Sequence, residues 1–268
     1  MAQLKGPMQF TGSVGNIRSY YDKRLKRYIL STKGGASKDI ILNNPAFART
    51  RENMNDFSAC SMWASLLRMA LSSIMNLYRG NYFSDIVSYG KKIQKFDTVN
   101  AKGKREVASS KASSLLKLIH FNEDQPFDRT FCSPLRIAFS DDKKSVALQI
   151  KSFQSFGQLH WQFDFQSYRF SMIIFQLADM IWSEEKQKYK PVVDGLDKLT
   201  KIAVSDWQDR SVELVDFNLE ASFAEPALQQ PGTTVVVALG IEVSCSPVCS
   251  LNHTAAIGGT MGIVACFV

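Results

Sequence analysis

The sequence predicts an α+β protein with a β-hairpin arm over residues 1–38, a helical region over 39–121 and an antiparallel β-sandwich over 122–268. Three observations carry that prediction. Apolar residues alternate at a period of two before residue 33, recur at three- and four-residue steps from Pro45 to Leu118, and return to a period of two after Pro134. Net charge changes sign along the chain. A length of 268 residues, 45% hydrophobic and 21% charged, is enough to bury a core without disulfides or metals and excludes disordered, collagenous and coiled-coil classes.

Residues 8–32 read as paired strands: Met8 and Phe10, the turn-like Gly12-Ser-Val-Gly15, Ile17 to Tyr21, a polar tip from Asp22 to Lys26, then Arg27 to Ser31. Lys33-Gly34-Gly35 ends the alternation, and two glycines that tolerate positive φ make a hinge. Pro45 suits a first helical turn, and Phe47, Phe57, Cys60, Trp63, Leu67, Leu71 and Ile74 define a long amphipathic helix toward Arg79, with a break near Phe57. Two further helical pieces are expected at about 82–96 and 103–118. Strands are expected at 135–139 and 146–150 around a turn at Ser140–Lys144, then at 159–165, 168–178, 212–223, 233–243 and 259–268. Met180-Ile-Trp182 and Tyr189 flank another hairpin tipped by Glu184 to Lys188. There is no internal repeat and no low-complexity segment.

Charge is the most informative quantity. The chain has 32 Lys+Arg and 25 Asp+Glu, a net of +7. Residues 1–38 alone hold eight basic residues and one acid; residues 1–121 are net +13 and residues 122–268 net −6. A basic front and an acidic back allow two uses: binding a polyanion, or binding another copy front to back.

Little else suggests chemistry. The histidines His120, His160 and His253 form no zinc-protease spacing, and no nucleophile elbow, Walker loop, dinucleotide turn or EF-hand occurs. Asp141-Asp142 and Glu184-Glu185 sit at expected hairpin tips, where adjacent carboxylates point apart into water rather than forming an acid–base pair. Cys245 and Cys249 with His253 supply three zinc ligands at most, so neither metal nor cofactor is expected, nor catalysis. Five cysteines, an odd count, fit a reducing compartment. The N-terminus lacks a signal-peptide apolar region, and the apolar run 255–268 is too short to span a bilayer. A cytoplasmic protein, or one exported without a cleavable signal, is expected.

The candidate contact residues are therefore those of the arm: Arg18, Tyr20, Tyr21, Lys23, Arg24, Lys26, Arg27, Tyr28 and Lys33, with Gly34 and Gly35 as hinge. As an assembly device, the arm adds a strand to a neighbour's sheet edge, the acidic sandwich of that copy acting as acceptor in a homo-oligomer. As a nucleic-acid device, it combines phosphate-neutralising charge with rings that stack on bases. A hairpin with tyrosines on one face and lysines on the other also guards an exposed strand against uncontrolled pairing.

Through Gly12-Ser-Val-Gly15, Tyr20-Tyr21, Tyr28, Lys33-Gly34-Gly35, Pro45-Ala-Phe47 and Arg49-Thr-Arg-Glu-Asn53, the chain resembles a family of Bacteroidota proteins with a Lys-Gly-Gly stop and an Ala-Phe-x-Arg-Thr-Arg-Glu-Asn helix start. The resemblance covers roughly residues 10–57 and departs from the family's second asparagine at Met54. It implies a bacterial or phage-related origin and no particular activity. Read physically, Arg49, Arg51, Glu52 and Asn53 occupy the first turns of a helix. Arg49 and Asn53 share a face, Glu52 complements the helix N-terminus, and the cluster is placed to clamp the preceding hairpin.

Overall fold

The computed structural model describes residues 2–3, 10–32, 34–79, 82–196, 199–246 and 257–268. It is α+β, with helices and antiparallel sheets, in two compact units, Met1–Arg51 and Glu52–Val268.

The N-terminal unit holds strands β1 (Ala2–Gln3), β2 (Gly12–Val14), β3 (Ile17–Asp22) and β4 (Arg27–Thr32), in the antiparallel order β1-β4-β3-β2. Ser19 lies opposite Leu30 on one side and Gly12 on the other, which fixes the register. Helix α1 (Lys38–Asn43) comes next; Ser37 caps it, its hydroxyl accepting from the Ile40 N–H at 3.4 Å. Asn44 then caps a 3-10 turn at Pro45–Phe47, its side chain accepting from the Ala46 N–H at 2.9 Å.

The second unit is built around a long antiparallel sheet. Helix α2 (Ala48–Ala70), a 3-10 segment at Ser72–Leu77 and helix α3 (Tyr82–Gln94) precede it. Further along come a 3-10 turn at Ser113–Leu118, the short helix α4 (Phe127–Thr130), strands β5 (Arg136–Phe139) and β6 (Ser145–Phe153), and the short helix α5 (Ser155–Gln158). The chain continues through β7 (Ser167–Ala178), the hairpin of β8 (Met180–Ser183) and β9 (Lys188–Pro191), β10 (Lys201–Val204), β11 (Gln208–Asp209), β12 (Leu214–Ser222), β13 (Thr233–Ser244) and β14 (Gly258–Phe267). The main sheet runs β10-β7-β13-β14 with β11 also on β7; β12-β6-β5 form a second sheet.

Strand β13 is buried at every position and β7 at every position but Arg169, because apolar layers meet both faces of the main sheet. Alternate residues serve each face. Ile173, Phe175, Val236 and Ala238 join a core with Trp63, Leu67 and Leu71 of the helical segments. Met172, Ile174, Val235 and Val237 join a second core with Val146, Leu148 and Leu219 of the smaller sheet. Leu77 seats in a notch on the helical side: a Cβ on either Gly240 or Gly259 would overlap its methyl groups.

Several expected boundaries are corrected. The long helix is unbroken at Phe57 and stops at Ala70, giving way to the 3-10 segment with Ile74 outside helical geometry. The piece expected at 103–118 is helical only from Ser113, as a 3-10 turn. Its first half is pulled into tertiary bonds: Val107 exchanges backbone hydrogen bonds with Met180, and the Ser110 N–H donates to Asp179 at 2.9 Å. The strand expected at 159–165 shrinks to a single bridge between Leu159 and Phe131. Gly12–Val14 is a strand rather than a turn; the chain turns at Gly15-Asn16. Met8 falls outside the described residues.

Candidate functional site

The cationic tip forms because Asp22 organises it. Its Oδ1 accepts from the Arg24 and Leu25 N–H groups, both at 2.9 Å, and Lys26 turns back with φ +49°. The bend therefore presents Lys23, Arg24, Leu25 and Lys26 to solvent, with Arg27 opening β4.

Strand alternation sorts the side chains of the sheet into two faces, since cross-strand partners share a face. Val14, Ile17, Ser19, Tyr21, Tyr28, Leu30 and Thr32 share one face, and none of these described residues is charged. Arg18, Tyr20, Asp22, Arg27 and Ile29 share the other. The expectation of tyrosines on one face is thus corrected: adjacent Tyr20 and Tyr21 point to opposite sides. Tyr21 and Tyr28 pack edge to face with centroids 5.1 Å apart, and the Arg18 guanidinium sits 5.5 Å over the Tyr20 ring.

Burial in this sheet is sparse. Among the described residues of the four strands only Ser19 and Ile29 are buried, while Val14 is 66% exposed, Ile17 42% and Tyr21 45%. The Ser19 hydroxyl is buried without a hydrogen-bond partner among the described residues. Sequence reasoning misses Val14, Ile17 and Leu25 as candidate contacts, although the alternation through 12–21 contains the signal for the first two.

Gly34 and Gly35 are exposed, and Gly35 takes φ +102°, which a side chain would oppose. Lys33 lies outside the described residues. Of the clamp, Arg51 Nη1 donates to the carbonyls of Ile41 at 2.7 Å and Asn44 at 2.9 Å. Those bonds lock the end of α1, not a hairpin strand. Arg49 and Glu52 also have partners, and Asn53 is exposed.

Other chemistry-bearing groups are occupied locally. Asp142 accepts from Lys144 N–H at 3.1 Å and from Ser140 Oγ, and these bonds lower its pKa. Glu184 is held by Lys104 at 2.6 Å. Asp56, buried on the inner face of α2, takes the Arg105 guanidinium and the Gly103 N–H at 3.0 Å. Burial pushes the Cys60 and Cys266 thiols up to about 12, away from the thiolate form that acts as nucleophile. Cys249 and His253 lie outside the described residues; among those described, no group of three or more His, Cys, Asp or Glu is placed to hold a metal. An open cavity of about 440 Å³ is lined by Asp85, Tyr89, His120, Glu123 and Asp128. Among the described residues no helix is long and apolar enough to cross a membrane.

Against this geometry, no protein-family model matches the chain, and no curated protein matches it.

Proposed function

We propose that the chain is a non-enzymatic, self-associating structural subunit of bacterial or phage-related type, joining its neighbours head to tail through the N-terminal sheet. One observation carries this reading: among the described residues, the four strands enclose almost no core of their own and leave Val14, Ile17 and Tyr21 in water. A small sheet gains stability from a covered apolar face, so a partner that covers it is favoured. In this assembly residues 1–38 act as an arm and the C-terminal sheets as a β-sandwich. The −6 charge of residues 122–268 steers the cationic tip of the next copy. Edge strand β2 supplies backbone groups for strand addition.

A second reading draws on Arg18, Tyr20 and Arg27, cations and a ring on one face, as a stacking platform for single-stranded nucleic acid. The opposite face, with Val14, Ile17, Leu30 and two tyrosines, favours a protein partner instead. Sedimentation velocity of the full chain over a wide concentration range, with negative-stain imaging of the concentrated sample, tests the choice. Concentration-dependent oligomers that persist at moderate salt are expected, with none formed by a chain lacking residues 1–38. Discrete monomers throughout, with oligonucleotide binding that collapses as salt rises, would overturn the assembly reading in favour of the second.

A further inference from the structure

We propose that a well on the solvent side of the smaller sheet binds an acidic sugar residue, a ligand with one carboxylate and several hydroxyls; this goes beyond the self-association reading and does not rest on it. The floor of the well is the cross-strand pair Ile150 and Phe217, whose side chains turn inward to the core that holds Phe170 and Leu219. Gln149, Lys151 and Asn218, neighbours of that pair along β6 and β12, therefore stand outward, and Asp216 lines the same well. Gln149 lies opposite Asn218. Lys151 stands across from Asp216, because Val215 lies opposite Ser152 and Phe217 opposite Ile150. Arg136 of β5, opposite Gln149, closes one side. The cavity measures about 340 Å³, and all five lining residues are exposed.

Opposite charges on neighbouring strands ordinarily close on each other. Arg169 and Glu242, opposite each other on β7 and β13, are joined by an ion pair. Lys151 and Asp216 are not. Asp216 takes φ +49°, a left-handed backbone that is costly inside a strand, and position 216 drops out of a ladder that keeps its register on either side. Among the described residues no ion pair or side-chain hydrogen bond occupies Arg136, Gln149, Lys151, Asp216 or Asn218. The well is thus held open with its polar groups uncommitted.

Those groups select the ligand. Two cations and one carboxylate leave one positive charge unmatched in the lining, so a monoanion fits. Glu220, opposite Ala147 in the next row, and Glu213, which accepts from Ser152 Oγ at 2.6 Å, lie outside that lining. A bare carboxylate or phosphate would use the cations and be repelled by Asp216. A ligand that also bears hydroxyls uses all five side chains, because each hydroxyl both donates and accepts. Asp216 accepts, the Gln149 and Asn218 amides do both, Lys151 donates, and the Arg136 guanidinium matches a carboxylate through two parallel bonds. The volume falls within the range of small-molecule sites.

The test is an NMR titration of the full chain with D-glucuronate, D-glucose and acetate. With glucuronate, saturable shifts of the Gln149, Lys151 and Asn218 amide signals are expected in the millimolar range. That binding is expected to be at least about tenfold tighter than for glucose or acetate, the scale of one charge-assisted hydrogen bond. Arg136→Gln is expected to remove the advantage over glucose, with Lys151→Gln in its place if circular dichroism shows the first variant misfolded. Asp216→Asn, which keeps a residue tolerant of left-handed backbone, is expected to lower the preference for glucuronate over acetate. Equal affinity for acetate and glucuronate would reduce the well to an adventitious anion site and overturn the proposal. Equal affinity for glucose, or glucuronate shifts that bypass these amides or never saturate, would overturn it as well. Self-association is read separately by sedimentation and is untouched by any of these outcomes.

Discussion

The N-terminal sheet and the main sheet of the second unit are both antiparallel, yet they are held together in opposite ways. Strand β3 reads Ile-Arg-Ser-Tyr-Tyr-Asp and buries one residue; β13 reads Thr-Thr-Val-Val-Val-Ala-Leu-Gly-Ile-Glu-Val-Ser and buries all of them. The difference is the number of layers. A sheet enclosed on both faces must be apolar at successive positions, whereas an alternating strand has one apolar face, useful only if something covers it. The larger unit carries its own cores, while the described residues of the smaller form no comparable one. Removing the same kind of contact from each sheet puts that contrast at most risk.

Trp63 should matter most. It is fully buried between α2 and the main sheet, and its indole N–H donates to Ser109 Oγ at 3.4 Å. Trp63→Ala is expected to cost about 3–5 kcal/mol in urea unfolding of the main transition, as deletion of a buried aromatic does. Ile29→Ala, in the N-terminal sheet, is expected to leave that transition in place and speed amide exchange only in β3 and β4. Equal shifts from the two substitutions would mean that the smaller sheet draws its stability from the same core.

Gly259→Ala comes next. The added methyl overlaps Leu77, which is itself buried, so about 1–3 kcal/mol of overpacking is expected in the same assay. The overlap disappears when Leu77→Ala is present, so the two changes together should cost clearly less than their sum. Additive costs would show that the notch is not a shared fit.

The same physics sets how much of the fold is legible in the sequence. The hairpin tips at Ser140–Lys144 and at Glu184 are explicit in turn residues, and β7, β13 and β14 lie close to their expected ranges because long apolar runs bounded by turns leave few alternatives. The segment 103–112 misleads because its apolar spacing fits a helix, while a distant acceptor, Asp179, claims Ser109 and Ser110. Leu159, Trp161, Phe163 and Phe165 alternate like a strand, but Trp161 and Phe163 pack edge to face and against Gly258 instead of joining a ladder. In the candidate site the cationic tip is legible from composition. The apolar face is not, since one must first fix the register to see that Tyr21 keeps company with Val14 and Ile17.

A weaker effect is expected in the loop after α3, where charge rather than core fixes the chain. Asp97 accepts from the N–H groups of Val99 and Asn100 at 3.0 Å, from the Asn100 side chain at 2.9 Å and from the Glu106 N–H at 2.7 Å. Partial burial pushes its pKa up, but these donors outweigh burial and the net shift is downward. A folded pKa below the unfolded value means that the carboxylate's stabilisation is fully present above the ordinary aspartate value of about 3.9 and is lost as pH falls through the folded value. The carboxylate is only partly buried and is screened by nearby solvent, so Asp97→Asn is expected to cost under about 1 kcal/mol. An NMR titration should place the Asp97 carboxyl midpoint below about 3.9, with the Val99, Asn100 and Glu106 amide signals moving at the same midpoint. A midpoint at or above that value would mean that the four bonds do not hold in solution.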